Sequence, residues 1–228
     1  MTSAAGGAAQ PGSRVRPQPL AGVEALVAAV GRMRAARPRA SGRFLVGLAG
    51  APGAGKSTVA AALAAEVPGA AVLPMDGFHL PPARLRELGR RERMGAPDTF
   101  DVEGFTALLG ALRDVDNSGR TVLAPGFDRE IEEPVPDAVA LSPELSTVIV
   151  EGNYLLLDHG GWEAVAPLLH ATIGMVVDDA VRRERLVARH ISFGKTPDAA
   201  RAWALGPDER NAVAIAATLS RADYLLSP

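Results

Sequence analysis

The chain has 228 residues, room for one α/β domain of ordinary size with at most a small lid or lobe. Its 47% apolar and 22% charged residues exclude a disordered or collagen-like chain, and 24 basic against 26 acidic residues leave a charge of -2 that draws it to neither nucleic acid nor an anionic membrane. With no cysteine, disulfides, thiolate catalysis and cysteine zinc sites are excluded too, and the short apolar runs hold no candidate membrane span.

Residues 1–20 are rich in Ala, Gly, Pro and Ser, lack the apolar core of a secretory signal, and are expected to form a flexible tail. Leu20, Val23, Leu26, Val27 and Val30 recur at helical spacing and predict an amphipathic helix over 21–36. From residue 43 the pattern alternates. Residues 43–49 (RFLVGLA) read as a buried parallel strand, 50–56 as a glycine-rich turn, and 57–66 as a helix. A strand at 71–75, a helix at 105–113 and short strands at 121–123 and 147–150 (TVIV) follow. Residues 162–169 read as helix, 172–177 as strand, and 180–191, 197–204 and 211–221 as helices, before a closing strand at 223–226. Strands separated by helices predict an α/β fold with a mostly parallel sheet covered on both faces. No repeat or linker divides the chain after residue 40, so 21–228 is read as one domain.

The strongest local signal is Gly50-Ala-Pro-Gly-Ala-Gly-Lys56-Ser57, which matches G-x-x-x-x-G-K-[ST] between a strand and a helix, the setting of a phosphate-binding loop. Gly50, Gly53 and Gly55 let the backbone wrap with its N–H groups turned inward, and the following helix aims its positive end at the same place. Lys56, one of only two lysines with Lys195, supplies a point charge for the β- and γ-phosphates, and Ser57 a hydroxyl for Mg²⁺. Residues 53–58, taking in Ala54 and Thr58, are therefore expected to bind Mg·ATP. The second strand runs into Pro74-Met75-Asp76-Gly77-Phe78-His79, placing Asp76 at the sheet edge where ligands of open α/β sheets bind. A carboxylate there can take the proton of an attacking hydroxyl, or simply cap a turn. Residues 148–153 (VIVEGN) end a buried strand in Glu151, which suits the acidic residue that supports Mg²⁺.

A phosphate-binding loop alone does not name a reaction. None of the three asparagines (Asn117, Asn153 and Asn211) is followed by lysine, so the guanine-reading N-K-x-D of GTPases is missing, as is the LSGGQ run of transporter ATPases.

Three stretches together, the loop, PMDGFHL at 74–80 and GAPDTFD at 95–101, resemble the uridine kinase, phosphoribulokinase and bacterial pantothenate kinase superfamily. VEGNYLLLD at 150–158 and the arginine-rich 182–189 extend the match, which is closest to the nucleoside/nucleotide kinase-like branch often labelled fructose-transport kinase-like and covers about residues 20–228. The resemblance implies a P-loop NTPase fold with a small helical lid near 182–200, Asp76 as catalytic base, and Phe100 and Asp101 closing the acceptor loop. It places Phe78, His79, Asp98, Phe127, Arg129 and Asn153 with the acceptor, Phe127 standing where tyrosine is frequent. It also implies that Arg185 and Arg189 act on the transferred phosphate, with Lys195 near the lid tip. Asp208-Glu-Arg-Asn211 matches the branch without an assigned role.

The expected function is transfer of the γ-phosphate of Mg·ATP to a hydroxyl of a small metabolite, whether a nucleoside, pantothenate or a sugar-like alcohol. Lys56, Asp76, Glu151 and Arg185 would carry the chemistry. The rival is a nucleotide-dependent switch or regulatory protein with no metabolite acceptor. Neither nucleic acid nor membrane is expected as a partner, a homodimer is compatible, and the cytoplasm is the default compartment.

Overall fold

The structure, a computed structural model, describes residues 16–37, 42–117 and 119–228. Six parallel strands form the central sheet: β1 (Gln18–Ala21), β2 (Phe44–Ala49), β3 (Ala70–Pro74), β6 (Thr147–Gly152), β7 (Ala171–Met175) and β8 (Tyr224–Ser227), in the order β1-β8-β7-β2-β6-β3. Every residue of β2, β6 and β7 is buried, as expected of central strands covered on both faces. Alternate side chains leave for opposite layers. Leu45, Val148 and Val150 join a core with Phe78, Phe105 and Trp162, while Val46, Leu48 and Ile149 pack with Leu26, Val30, Val59 and Leu63. The second layer belongs to α1 (Gly22–Ala35) and α2 (Lys56–Glu66), and the first takes α4 (Val102–Arg113).

Register positions the site. Ala49 pairs with Gly152, and Pro74 with Glu151, so the carboxyl ends of β2, β6 and β3 are level and β6 separates the other two. The phosphate loop and Asp76 thus emerge at one edge on either side of Glu151.

Several expectations need correction. Residues 18–20 are not tail: with Ala21, expected to open the helix, they add β1 beside β8, Gln18 opposite Tyr224, through backbone pairing that needs no apolar periodicity. Residues 1–15 of the expected tail lie outside the described residues. The strand at 121–123 extends to β4 (Val122–Asp128) and leaves the central sheet to pair antiparallel with β5 (Glu133–Leu141). Pro134, Pro136 and a mostly exposed burial pattern hide β5 from a reading based on hydrophobic runs. Residues 162–169 form two 3₁₀ turns, Trp162–Ala164 and Ala166–Leu168, that part at Val165, with Pro167 inside the second, rather than one helix. The segment expected as a lid falls on α5 (Asp179–Ser192) and α6 (Pro197–Leu205), followed by α7 (Pro207–Ala216), which starts earlier and ends sooner than expected; a short α3 (Pro82–Glu87) has no counterpart in the predicted elements. No helix among the described residues is long and apolar enough to cross a membrane.

The turn after β3 is braced by the ribbon. A Cβ on Gly77 would stand 2.1 Å from the Pro125 carbonyl oxygen of β4. Gly77→Ala is therefore expected to cost about 1–3 kcal/mol, seen as a lower urea midpoint, because backbone rather than a flexible side chain must retreat. An unchanged midpoint would show that the turn and ribbon do not pack this way.

Candidate active site

The loop after β2 owes its shape to two glycines with positive φ, Gly53 at 81° and Gly55 at 86°. At Gly53 space forbids a side chain as well, since a Cβ would lie 2.5 Å from the Arg182 carbonyl oxygen. Helix α2 begins at Lys56 with neither a side-chain cap nor an acidic residue in its first turn, leaving its amide donors to an incoming anion. The Lys56 ammonium sits inside the loop and donates to the carbonyls of Gly50 (2.9 Å) and Ala51 (3.2 Å) and to Asn153 Oδ1 (2.7 Å). Burial lowers its pKa to about 8, against the opposing pull of Glu151 and Asp76.

Ser57 Oγ donates to Glu151 Oε1 at 2.8 Å, joining the start of α2 to the end of β6. Burial raises the Glu151 pKa although Lys56 opposes it. Asp76 lies in the 3₁₀ turn after β3 and meets Arg129 Nη2 at 2.7 Å through Oδ2. Burial would raise its pKa too, but the charges of His79, Arg129 and Lys56 outweigh that and lower it, so Asp76 is ionised at neutral pH.

Two adjoining cavities meet at this carboxylate. One, of about 380 Å³, is walled by Gly53, Gly55, Lys56, Ser57, Thr58, Glu151 and Arg185. The other, of about 160 Å³, is walled by His79, Phe127, Met94 and Gly95, and by His190 of α5, Trp203 of α6 and Lys195 between them. Asp76, Arg129, Asn153 and Arg189 line both.

The remaining sequence candidates fall elsewhere. Gly50 and Ala54 shape the loop, Ala54 from within the core. Phe78 and Phe100 are buried, Phe78 edge-on to Phe105 and Phe100 edge-on to Tyr154 and Trp162. Phe100 stands at one remove, its ring centred 4.0 Å from that of His79 and tilted 40° to it, while His79 in turn meets Phe127 at 4.8 Å. Asp101 caps α4 by accepting from the Gly104 amide. Asp98 is outside both cavities, bound to Arg93 at 2.6 Å and to Arg90 at 3.4 Å.

On α5 the arginines divide. Arg185 and Arg189 face the cavities, whereas Arg182 and Arg183 clamp Glu209 of α7, whose pKa falls to about 2 chiefly through the Arg183 hydrogen bond. Sequence reasoning left Arg91, Glu132, Trp203, Asp208 and Asn211 out of the site, and all five line the second cavity. The 208–211 match was a usable signal for Asp208 and Asn211; nothing local announced Glu132 in its hairpin turn.

Mg²⁺ suits this donor set. Among the described residues no cluster of three or more His, Cys, Asp or Glu could cage a metal, but a hydroxyl and a carboxylate beside a phosphate loop leave the remaining positions to nucleotide oxygens and water, the usual state of Mg²⁺.

No family model matches the chain. It is 43% identical over 133 residues to an ATP-dependent kinase-like protein of Aspergillus versicolor, covering 56% of this chain and 77% of that one. A provisionally named uridine kinase of Schizosaccharomyces pombe is 36% identical over 167 residues, 67% of this chain and 68% of the relative. Among solved structures, a provisionally named fructose transport system kinase from Silicibacter sp. TM1040 superposes with a TM-score of 0.82 at 41% identity, over 91% of this chain and 99% of that one. With its phosphate loop, the strand order that brings Asp76 and Glu151 to that loop, and these relatives, the chain belongs to the uridine kinase-like family of ATP-dependent P-loop kinases.

Proposed function

We propose that the protein transfers the terminal phosphoryl group of Mg·ATP to a hydroxyl of a small molecule held in the second cavity, with Asp76 as general base. The observation that carries this reading is that Asp76 lines both the phosphate-loop cavity and its neighbour. An acceptor hydroxyl in the neighbour faces a terminal phosphate across one ionised carboxylate. Asp76 takes the hydroxyl proton as the acceptor oxygen bonds to phosphorus, and the bond from phosphorus to the departing ADP oxygen breaks. Lys56, Arg185 and Arg189 offset charge on the phosphoryl oxygens, and Ser57 and Glu151 would hold Mg²⁺, which when bound would supply further positive charge against the phosphates. Most of the catalysis asked of these residues is positioning and charge compensation.

ADP release measured with and without alcohols tests this reading. The expected result is stimulation by an acceptor together with a phosphorylated product seen by mass spectrometry. Slow release that answers only to a protein partner would replace it with a switch.

Lys56 imposes a pH dependence. Its ammonium is the binding form and its pKa is about 8, so Mg·ATP affinity should hold from pH 7 to 8 and then weaken, by at most about tenfold per pH unit. Calorimetric titration between pH 7 and 9.5 checks this, and a flat profile would remove Lys56 from the binding charge.

A further inference from the structure

Three separate segments meet at the second cavity. Arg91 comes from a 3₁₀ turn, Glu132 from the β4–β5 hairpin and Lys195 from the tip between α5 and α6. Arg91 Nη2 lies 2.6 Å from Glu132 Oε2, and Lys195 Nζ lies 3.8 Å from Glu132 Oε1 while standing 5.1 Å from the centre of the Trp203 ring. One carboxylate thus presents its two oxygens to two cations from different parts of the chain. Its backbone has φ 53°, a conformation uncommon for a residue with a Cβ and sustained only by surrounding contacts. Burial pushes the Glu132 carboxyl up, but the hydrogen bond from Arg91 and the charge of Lys195 hold it below its usual value. The Glu132 side chain is still 44% exposed, so its carboxylate can turn out to water at small cost.

The charge balance points the same way. Arg129 is matched by Asp76 and His190 contacts Asp208, while Arg91 and Lys195 share the single charge of Glu132 and Arg189 adds a further cation to the same lining. The two amides in this lining are each half engaged, Asn153 Oδ1 accepting from Lys56 and Asn211 Nδ2 donating to the Gly95 carbonyl.

We propose that the acceptor carries an anionic group, a carboxylate or a phosphate ester, in addition to its hydroxyl, and that Arg91 and Lys195 hold this group where the Glu132 carboxylate now sits. The proposal rests on the phosphotransferase reading above. Glu132 is then a placeholder that offsets the mutual repulsion of the two cations and competes with the acceptor.

Matched skeletons test it on the full-length protein: glycerol, glycerate and glycerol 3-phosphate; ribose, ribonate and ribose 5-phosphate; and uridine as a base-bearing control. Binding is followed by Trp203 fluorescence, with buried Trp162 as a constant background, and turnover by ADP release. At least one anionic member should bind and react with kcat/KM about tenfold or more above its neutral parent, and the carboxylate and phosphate arms show which anion is preferred. Arg91→Gln and Lys195→Gln should each raise its KM about tenfold with a smaller change in kcat, while Glu132→Gln should lower it. That opposite sign separates a placeholder from a structural ion pair, whose loss would weaken all three variants alike. Neutral members performing as well as anionic ones, a Glu132→Gln variant that weakens binding, or no binding by any member overturns the proposal. Anion binding that Arg91→Gln and Lys195→Gln weaken and Glu132→Gln strengthens, with no phosphorylated product, would uphold the anion site and sink the phosphotransferase reading instead.

Discussion

Replacing Asp76 with asparagine is expected to cut phosphoryl transfer by ~10²–10⁴-fold while leaving Mg·ATP affinity within about twofold. Asparagine has nearly the same shape, and its Oδ1 can still accept from Arg129, so the 2.7 Å contact that orients the side chain survives. The backbone turn survives as well, since it depends on the Asp76 carbonyl, which accepts from the His79 amide at 3.1 Å and contacts His79 Nδ1 at 2.7 Å. Only the capacity to take a proton is lost. The pH profile supplies a second readout. Asp76 works in its ionised form and its pKa is lowered, so its own acid limb should lie below the ordinary carboxylate range, on the acid side of the limb set by Glu151, whose pKa burial raises. The lower limb should vanish in Asp76→Asn while the Glu151 limb persists. Turnover equal to wild type would remove Asp76 from the reaction.

Lys56→Ala is expected to lower both ATP affinity, by about tenfold or more, and the rate of transfer, by ~10²-fold or more, because one preorganised charge serves bound nucleotide and transition state alike. The substitution strips three hydrogen bonds, including those to two carbonyls that line the loop, and leaves Glu151 without the largest of its compensating charges. Lys56→Arg should not restore activity, since a planar guanidinium cannot occupy a space shaped around a compact ammonium. A thermal melt within a few degrees of wild type would establish that the loss is local, and unaltered kinetics in a folded Lys56→Ala protein would overturn the phosphate-loop assignment.

The phosphate loop was legible because its chemistry is contiguous: three glycines, a lysine and a serine need only one turn and one helix start to act together. The buried strands at 43–49 and 147–150 were legible as unbroken apolar runs. The β4–β5 ribbon was not, because its strands are exposed, proline-bearing and paired with each other rather than with the core. Side-chain pairing was hidden for the same reason. Asp76 and Arg129 were both singled out, yet their ion pair spans 53 residues of sequence, and Lys56 finds Asn153 across 97. Of four arginines on one helix, the two that face the cavities differ from the two that clamp α7 only by the position of Glu209.

The amino-acid order by itself settled the loop, the alternation of strands and helices, and the presence of carboxylates at strand ends, because each follows from neighbours within about one element's length. Tertiary structure alone decided that β6 lies between β2 and β3, that Asp98, Asp101 and the Phe100 ring stand back from the cavities, and that Arg91, Glu132 and Lys195 converge. The physical reason is that strand order and long-range ion pairs are chosen by burial and charge compensation summed over the whole fold, which no local pattern encodes.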